Sequence, residues 1–261
     1  MSDQATYHHE GFDIPIGLML KTGGGPDTFA AISNGHIANL RRFVGLTPDM
    51  AILEIGCGIG RDAIPLTTIL DPAQGGRYVG IDIIKPSIDW CVANIQKRYP
   101  NFIFHHMDIG DQIHNPGGAV DTLQSNLPVP DGRFDRIVLQ SVFTHLMQRE
   151  LEHYLTEFRR VLKLDGLVYV TVFIYDDAVI ESAHLRNPPP HGLRFEHKVG
   201  TDCRINDLQF PTGAVAYTEK FLNGLVCKHG LRQVRPHLKG SWSGFHDDAS
   251  DGQDILVLAR A

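Results

Sequence analysis

The sequence has little of what marks a membrane, secreted or nucleic-acid-binding protein. Its 261 residues contain no apolar run that reaches the about 18 residues of a membrane span, and the N-terminus lacks the basic and apolar regions of a signal peptide. Lys and Arg number 24 against 30 Asp and Glu, a net charge of −6, and no Lys/Arg-rich run occurs. We therefore expect a cytoplasmic protein with neither a membrane nor a nucleic acid as partner.

Cysteine is also scarce. The 4 cysteines, Cys57, Cys91, Cys203 and Cys227, form no C-x-x-C pair, so reduced thiols are favoured over disulfides or zinc ligands. The acidic pair Asp247-Asp248 is more typical of an exposed turn than of a cation site. We expect no bound metal.

The most informative segment is a glycine-rich loop after an apolar run. It carries Glu54 and then glycine at alternate positions, Gly56, Gly58 and Gly60, before a helical pattern over 61–70. Strand, glycine-rich turn and helix form the nucleotide-binding corner of an α/β sheet, because glycine lets the backbone approach a ligand closely. A dinucleotide site requires G-x-G-x-x-G, and Arg61 stands at its third glycine, which argues against a Rossmann-type oxidoreductase.

Further apolar runs follow at the spacing of βαβ units. Asp82 ends the next run, about one βαβ repeat after the glycine loop, where a carboxylate can accept both hydroxyls of a ribose. The runs alternate with helical patterns, which predicts a doubly wound α/β sheet. They are Tyr78–Asp82, Phe102–Met107, Phe134–Ser141 and Leu167–Phe173.

These motifs, in this order, resemble those of class I S-adenosylmethionine (SAM) methyltransferases. The loop reads E-x-G-x-G-x-G, and the lead-in to the run at Phe134, L-P-V-P-D-G-R-F-D, is similar to the family's fourth motif. The resemblance implies a Rossmann-like, seven-stranded, mostly parallel sheet with one antiparallel strand from a C-terminal hairpin. It also implies SAM as cofactor and S-adenosylhomocysteine as product.

The resemblance assigns roles to individual residues. The loop glycines would face the methionine and ribose portions of SAM, and Asp82 would bind the ribose. Asp108 would accept from the adenine amine, although a helix N-cap role explains it equally well. Glu54 would fix the loop or bind the amino group, or would be a partly buried acid satisfied by backbone N–H groups. The predicted cofactor-binding residues are Glu54, Gly56, Cys57, Gly58, Gly60, Asp82, Ile83, Asp108, Ile109 and Gln140.

The predicted catalytic residue is His145. It lies in the segment S-V-F-T-H-L, which resembles a variant found in small-molecule O-methyltransferases, and histidine suits a base that deprotonates a hydroxyl. The alternative is a residue that only shapes the pocket. Gln140 and Ser141 stand where metal-dependent O-methyltransferases place an acid, so we expect no metal here. Weaker candidates, more typical of surface or loop residues, are His105, His106, Tyr175, His191, His197 and His246.

The chain divides into an N-terminal cap over 1–45 and a SAM-binding domain over 46–261. Residues 1–28 read as irregular, and a helix is predicted over Thr28–Val44. The pattern breaks over 175–215, which we interpret as a lid-like insertion. Its Asn187-Pro188-Pro189 is similar to an N-P-P motif of amino-group methyltransferases, but it follows the wrong strand and lacks the aromatic residue, so we reject it.

Three further elements are predicted from periodicity. A helix opened by Pro86 should bury one stripe, and the helix before Gly166 should bury another. Two closing strands are expected at about 233–239 and 255–259. The two stripes consist of Ile88, Val92, Ile95 and Tyr99, and of Leu151, Leu155, Phe158 and Leu162.

The sequence therefore predicts a methyltransferase that acts on a small molecule, preferably O-methylation of a sugar or natural-product hydroxyl, alone or as a homo-oligomer. Two alternatives stay open. One is an N-methyltransferase, which needs no strong base. The other is a SAM-binding module of the same fold without turnover.

Overall fold

The structure is a computed structural model that describes residues 5–187 and 192–261. The chain divides into two units, which are described separately. The first unit runs to Asp121 and includes Phe134–Val138. The second consists of Thr122–Arg133 and Leu139–Ala261. Asn187 is described, but the remainder of the rejected N-P-P motif and His191 lie outside the described residues.

The first unit opens with a β-hairpin. Strands β1 (Thr6–His9) and β2 (Phe12–Pro15) pair antiparallel, and Glu10 and Gly11 form the turn with φ of 47° and 80°. Two successive positive φ values are typical of the type I′ turn, whose twist matches that of the strands. The expectation that residues 1–28 are irregular is therefore wrong for the hairpin. A single-turn helix, α1 (Ile16–Met19), follows it directly.

A long helix packs beside this segment. Helix α2 (Pro26–Phe43) confirms the helix predicted over 28–44, and Pro26 at its start occupies the position that tolerates a missing N–H. Its buried side chains are Phe29, Ser33, Ile37 and Leu40.

Four parallel strands form the sheet of the first unit in the order β5-β4-β3-β6. Leu53 pairs in register with Val79 on one side and with Ile137 on the other. Because the strands are parallel, their carboxyl ends meet at one edge, where ligands of open α/β sheets bind. The strands are β3 (Ala51–Ile55), β4 (Arg77–Asp82), β5 (Phe102–His106) and β6 (Phe134–Leu139).

The helix after the glycine loop is shorter than predicted. We expected helix over 61–70, and α3 spans only Ala63–Leu66. Pro65 gives the helix no N–H, and the hydroxyls of Thr67 and Thr68 donate to carbonyls three residues back, at 2.6 and 2.9 Å. Such local side-chain bonds compete with regular helix.

The next helix changes its winding. Helix α4 (Lys85–Cys91) continues as a π-helix over Val92–Gln96. The predicted stripe holds for Ile88 and Ile95, but Val92 is 40% exposed and Cys91 is fully buried instead. A π-turn contains more residues than an α-turn, so it shifts the positions that face the core.

The second unit is built on the long strand β7 (Leu162–Ile174). Residues 168–172 of β7 pair antiparallel with β12, and residues 173–174 pair parallel with β10. Strands β9 and β8 extend β10 antiparallel, and β11 pairs with β12. These strands are β8 (His197–Val199), β9 (Cys203–Ile205), β10 (Val215–Tyr217), β11 (Leu231–Gln233) and β12 (Asp254–Arg260).

The predicted α/β, Rossmann-like and mostly parallel fold is confirmed, with a correction to the strand inventory. We expected seven strands with one antiparallel, whereas β8, β9, β11 and β12 all take part in antiparallel pairings. Two of these strands, β8 and β9, lie within the predicted insertion over 175–215.

Helices α5, α6 and α7 belong to the second unit. Helix α5 (Gln148–Val161) buries Leu151, Leu155 and Phe158 as predicted, while Leu162 already begins β7. Helix α6 (Asp177–Arg186) lies where we expected the pattern to break. Helix α7 (Glu219–Lys228) is capped by Thr218 and is followed by Gly230, whose φ is 67°.

The first closing strand begins and ends earlier than predicted. We expected it over 233–239, and β11 ends at Gln233. Pairing to β12 persists at two points, because Val234 N donates to Val257 O (3.0 Å) and Leu238 N to Ile255 O (2.9 Å). Pro236 lies between them and has no N–H to donate, which interrupts the ladder.

A buried carboxylate fixes the carboxyl end of β7. Asp254 accepts hydrogen bonds at 2.8 Å each from the backbone N–H groups of Ile174 and Gly240 and from the indole N–H of Trp242. The Trp242 ring packs against Phe173, with centroids 5.4 Å apart. No helix within residues 5–187 and 192–261 is long and apolar enough to cross a membrane.

Candidate functional site

The glycine loop follows β3 in the first unit. Gly56, Gly58 and Gly60 have φ of 78°, 53° and 78°, so each lies in the left-handed region that other residues enter only at a cost. Gly56 N and Cys57 N donate to Ile81 O at 2.8 and 3.2 Å. The alternate glycines are therefore required by the backbone path of the loop itself.

Asp82 joins the end of β4 to this loop. Its carboxylate is 7% exposed and accepts from Gly58 N at 2.6 Å and from Ile84 N at 2.7 Å. Burial raises the pKa of Asp82, and the bonds from Ile84 and Gly58 oppose that rise. The predicted ribose ligand thus also holds the loop in shape, and Ile83 lies between these two contacts along the chain.

Glu54 has a partner inside the sheet. Its carboxyl group is 4% exposed and accepts a hydrogen bond from the hydroxyl of Tyr78 at 2.5 Å. Burial, reinforced by the charge of Asp62, raises the pKa of Glu54 well above its ordinary value. The expected backbone N–H partners are replaced by a phenol, and contact with a cofactor amino group stays a prediction.

Asp108 and Ile109 follow β5. Asp108 caps no helix, since its carboxylate accepts from the side-chain amide of Asn115 at 3.2 Å and from Ala119 N at 3.4 Å. Asp108 is exposed and Ile109 is 5% exposed. The acid therefore organises the loop after β5 and keeps an exposed face toward solvent.

The sequence predicted an N-terminal cap over 1–45 but not its contact with the glycine loop. Arg61 Nη1 donates to the carbonyl of Thr22 at 3.1 Å, and a Cβ on Gly58 would lie 2.2 Å from Thr22 Cγ2. The segment after α1 is therefore packed directly on the glycine loop. The sequence feature that could have indicated this contact is Arg61, which stands where the dinucleotide-binding motif G-x-G-x-x-G has its third glycine.

A second missed group is the pair Asp111–His114. Asp111 Oδ1 and His114 Nδ1 lie 3.0 Å apart. This hydrogen bond raises the pKa of His114, with further contributions from the charges of Asp111 and Asp82, and it lowers the pKa of Asp111 to about 2. Because the charge of Asp82 acts on His114, this titratable imidazole lies near the same edge of the sheet.

Gln140 and Ser141 belong to the second unit. Gln140 is 8% exposed, and neither its amide nitrogen nor its amide oxygen has a hydrogen-bond partner among the described residues. Ser141 has φ of 57°, although it is not glycine, and its N–H donates to Thr171 Oγ1 at 2.7 Å. A buried unsatisfied amide beside a strained residue is typical of a ligand site.

His145 lies in a 3₁₀ turn, Phe143–His145, of the second unit. Its Nδ1 is 2.9 Å from the carbonyl oxygen of Thr212, and only a protonated Nδ1 can donate to that oxygen. This bond selects the tautomer in which Nε2 is the basic nitrogen.

The weaker candidates have other surroundings. His106 Nε2 lies 3.2 Å from Ile83 O, burial lowers the pKa of His246, and Tyr175 lies under Arg204. Asp247 and Asp248 are exposed. No group of three potential ligands for a metal is found in the part of the chain that the structure describes, and the metal-free expectation stays a prediction.

The site residues fit a nucleotide-type cofactor on three counts: a glycine loop, a strand-end carboxylate and a parallel sheet edge. These features define the fold class, a Rossmann-like α/β protein. Residues 52–166 match the sequence model of a methyltransferase domain.

Solved structures share the fold. The 1,6-didemethyltoxoflavin-N1-methyltransferase of Burkholderia thailandensis, with 1,6-didemethyltoxoflavin and S-adenosylhomocysteine bound, gives a TM-score of 0.52 at 17% identity over 88% of this chain and 78% of its own. Mitomycin 7-O-methyltransferase gives a TM-score of 0.54 at 17% sequence identity, over 91% of this chain and 55% of its own. A TehB-like SAM-dependent methyltransferase of Corynebacterium glutamicum gives a TM-score of 0.50 at 15% sequence identity, over 90% of this chain and 93% of its own. Residues 52–166 are thus similar to a methyltransferase domain, and the chain shares its fold with solved SAM-dependent methyltransferases.

Proposed function

We propose that this enzyme methylates a hydroxyl group of a small molecule, a sugar or natural product, with His145 as general base. The observation that carries the proposal is the hydrogen bond between His145 Nδ1 and the Thr212 carbonyl (2.9 Å). It leaves Nε2 as the nitrogen that can take the hydroxyl proton.

The residues that would hold SAM are those at the edge of the first sheet. Gly56, Gly58 and Gly60 would admit the methionine and ribose portions, and the remaining lone pairs of Asp82 would accept from the ribose hydroxyls. Asp108 would accept from the adenine amine, and Gln140 would find partners for its buried amide. Bound SAM supplies a methyl group on a cationic sulfonium, which is displaced in line by the acceptor oxygen.

A small-molecule acceptor is supported by two proteins of similar fold. One carries 1,6-didemethyltoxoflavin, and another is a mitomycin 7-O-methyltransferase. The net charge of −6 disfavours a nucleic-acid partner. The segments 1–28 and 175–215 would close over the bound ligands, which predicts that both gain protection from hydrogen exchange when S-adenosylhomocysteine is added.

The test is a screen of hydroxylated metabolites for S-adenosylhomocysteine release, with wild type and His145→Ala. We expect turnover to fall at least about a hundredfold in the variant, as for loss of a general base. We also expect the decline of the rate at acid pH, caused by protonation of the base, to disappear. His153→Ala is the matched control, because His153 lies outside the 3₁₀ turn and bonds to Ser125 O (2.8 Å).

An N-methyltransferase is the second candidate, favoured by the N1-methyltransferase of similar fold. Full turnover of an amine by His145→Ala would establish it in place of the O-methyltransferase. Binding of S-adenosylhomocysteine without turnover of any acceptor would instead support a SAM-binding module.

A further inference from the structure

A cavity of about 620 Å³ lies wholly within the second unit, at the carboxyl end of β7. Its wall includes Ile174 and Tyr175 from that strand end, Arg204 from β9, and Lys239 from the loop before β12. The volume falls in the range of small-molecule pockets, and the carboxyl end of parallel strands is where α/β proteins bind ligands.

The central feature of the cavity is a buried arginine. Arg204 is 8% exposed, and its Nη1 donates to Phe195 O at 3.1 Å. Its guanidinium carbon lies 5.3 Å from the centroid of the Tyr175 ring. Within the described residues, no carboxylate pairs with Arg204, and its Nε has no hydrogen-bond partner. A buried cation without a counter-charge is destabilising unless a ligand supplies that charge.

Two lysines add to this charge. Lys198 and Lys239 line the same cavity, both are exposed, and neither has a carboxylate partner in the described chain. Their flexible ammonium groups can reach a bound anion from the rim, while Arg204 is fixed at the wall.

The acidic residues of the cavity are largely engaged. Asp176 caps α6 by accepting from Val179 N at 2.9 Å, and Glu219 accepts from His237 at 2.8 Å. Asp177 is the remaining carboxylate, and His246 is the remaining histidine. The lining thus has three carboxylates and three Lys/Arg cations, and within the described residues none of these carboxylates is paired with Arg204.

Helix geometry acts in the same direction. Helices α6 and α7 both begin at this cavity, since Asp176, Asp177, Thr218 and Glu219 all line it. The positive ends of two ten-residue helices add to the potential of Arg204 and the lysines.

We infer that this cavity binds the carboxylate or phosphate group of a small molecule. The inference goes beyond the proposed methyltransferase function and does not depend on it. Tyr175 and Phe245, which is 47% exposed, offer aromatic surface to the uncharged part of the ligand.

The binding test uses succinate and pyrophosphate as probes, titrated calorimetrically into the full chain saturated with S-adenosylhomocysteine. We expect at least one probe to bind, and its affinity to fall about tenfold in Lys198→Gln/Lys239→Gln and further in Arg204→Met. Because Lys198 and Lys239 are exposed, their double variant should fold normally. It therefore tests anion binding even if the buried Arg204→Met variant fails to fold. Lys220→Gln, on α7 but outside the cavity, is the control and should bind as wild type.

The inference would be overturned if neither probe binds, or if the probe binds the lysine variant and the control with equal affinity. S-adenosylhomocysteine binding should be the same in every variant. Its loss in wild type would strike the proposed function instead, so the two failures are distinguishable.

Discussion

Replacement of Gly58 by alanine should damage the cofactor site through the N-terminal segment. Gly58 has φ of 53°, a conformation that costs an L-residue about 1–2 kcal/mol. The new Cβ would lie 2.2 Å from Thr22 Cγ2, so Thr22 must move. Its hydroxyl donates to Met19 O (2.7 Å) and its carbonyl accepts from Arg61 (3.1 Å), each bond worth roughly 0.5–1.5 kcal/mol.

The sum is a loss of roughly 2–5 kcal/mol, which lowers Tm on the order of 10 °C in a chain of this size. Because the displaced segment packs on the loop, we also expect S-adenosylhomocysteine to bind about tenfold more weakly or worse. The assays are thermal unfolding and calorimetric titration of the same samples.

Two variants isolate the contribution of the clash. Gly132 has a similar φ of 59° with open space around it, so Gly132→Ala should show the backbone cost alone and normal binding. In Gly58→Ala/Thr22→Ser the methyl group that clashes is gone and the hydroxyl is kept, so binding should recover in part. If Gly58→Ala behaves like Gly132→Ala in both assays, the packing of Thr22 on the loop is refuted.

Three further predictions concern buried or paired polar groups. Gln140→Leu should raise the Tm of the ligand-free protein, because an unsatisfied buried amide costs about 1–3 kcal/mol. The same variant should bind S-adenosylhomocysteine more weakly. A lower Tm with unchanged binding would contradict this prediction. Asp111→Asn should lower the pKa of His114 in an NMR titration. In wild type the contribution of that raised pKa to stability is present below about pH 6.5 and is lost as pH rises through the folded value; an unchanged titration would show that Asp111 is not the cause. Asp254→Asn should cost about 2–4 kcal/mol in urea unfolding, since three N–H donors share that carboxylate, and a loss below about 1 kcal/mol would contradict its role.

The cofactor corner could be predicted from the sequence because its determinants are local. Alternate glycines after an apolar run need positive φ, which all three adopt, and Asp82 at the next strand end follows from the βαβ repeat. The α/β class, helix α2 and the buried face of α5 follow from hydrophobic periodicity in the same way.

The rest depends on contacts between distant residues or on small changes of winding. Arg61 and Thr22 meet across 39 positions, which no local pattern reveals. The π-turn over Val92–Gln96 moves Val92 out of the core without a signal in hydrophobic spacing. The cavity gathers side chains from β7, β9 and the starts of α6 and α7, so its charge is visible only after folding.

The central claim is that the edge formed by the glycine loop and Asp82 binds SAM. The most direct measurement is calorimetric titration of S-adenosylhomocysteine into wild type, Asp82→Ala and the control Asp89→Ala, whose exposed carboxylate pairs with Lys85 on α4. We predict tight binding by wild type and the control, and a loss of at least about 1.5 kcal/mol, or tenfold, in Asp82→Ala. Equal affinity in all three proteins, or no binding by wild type, would contradict the account.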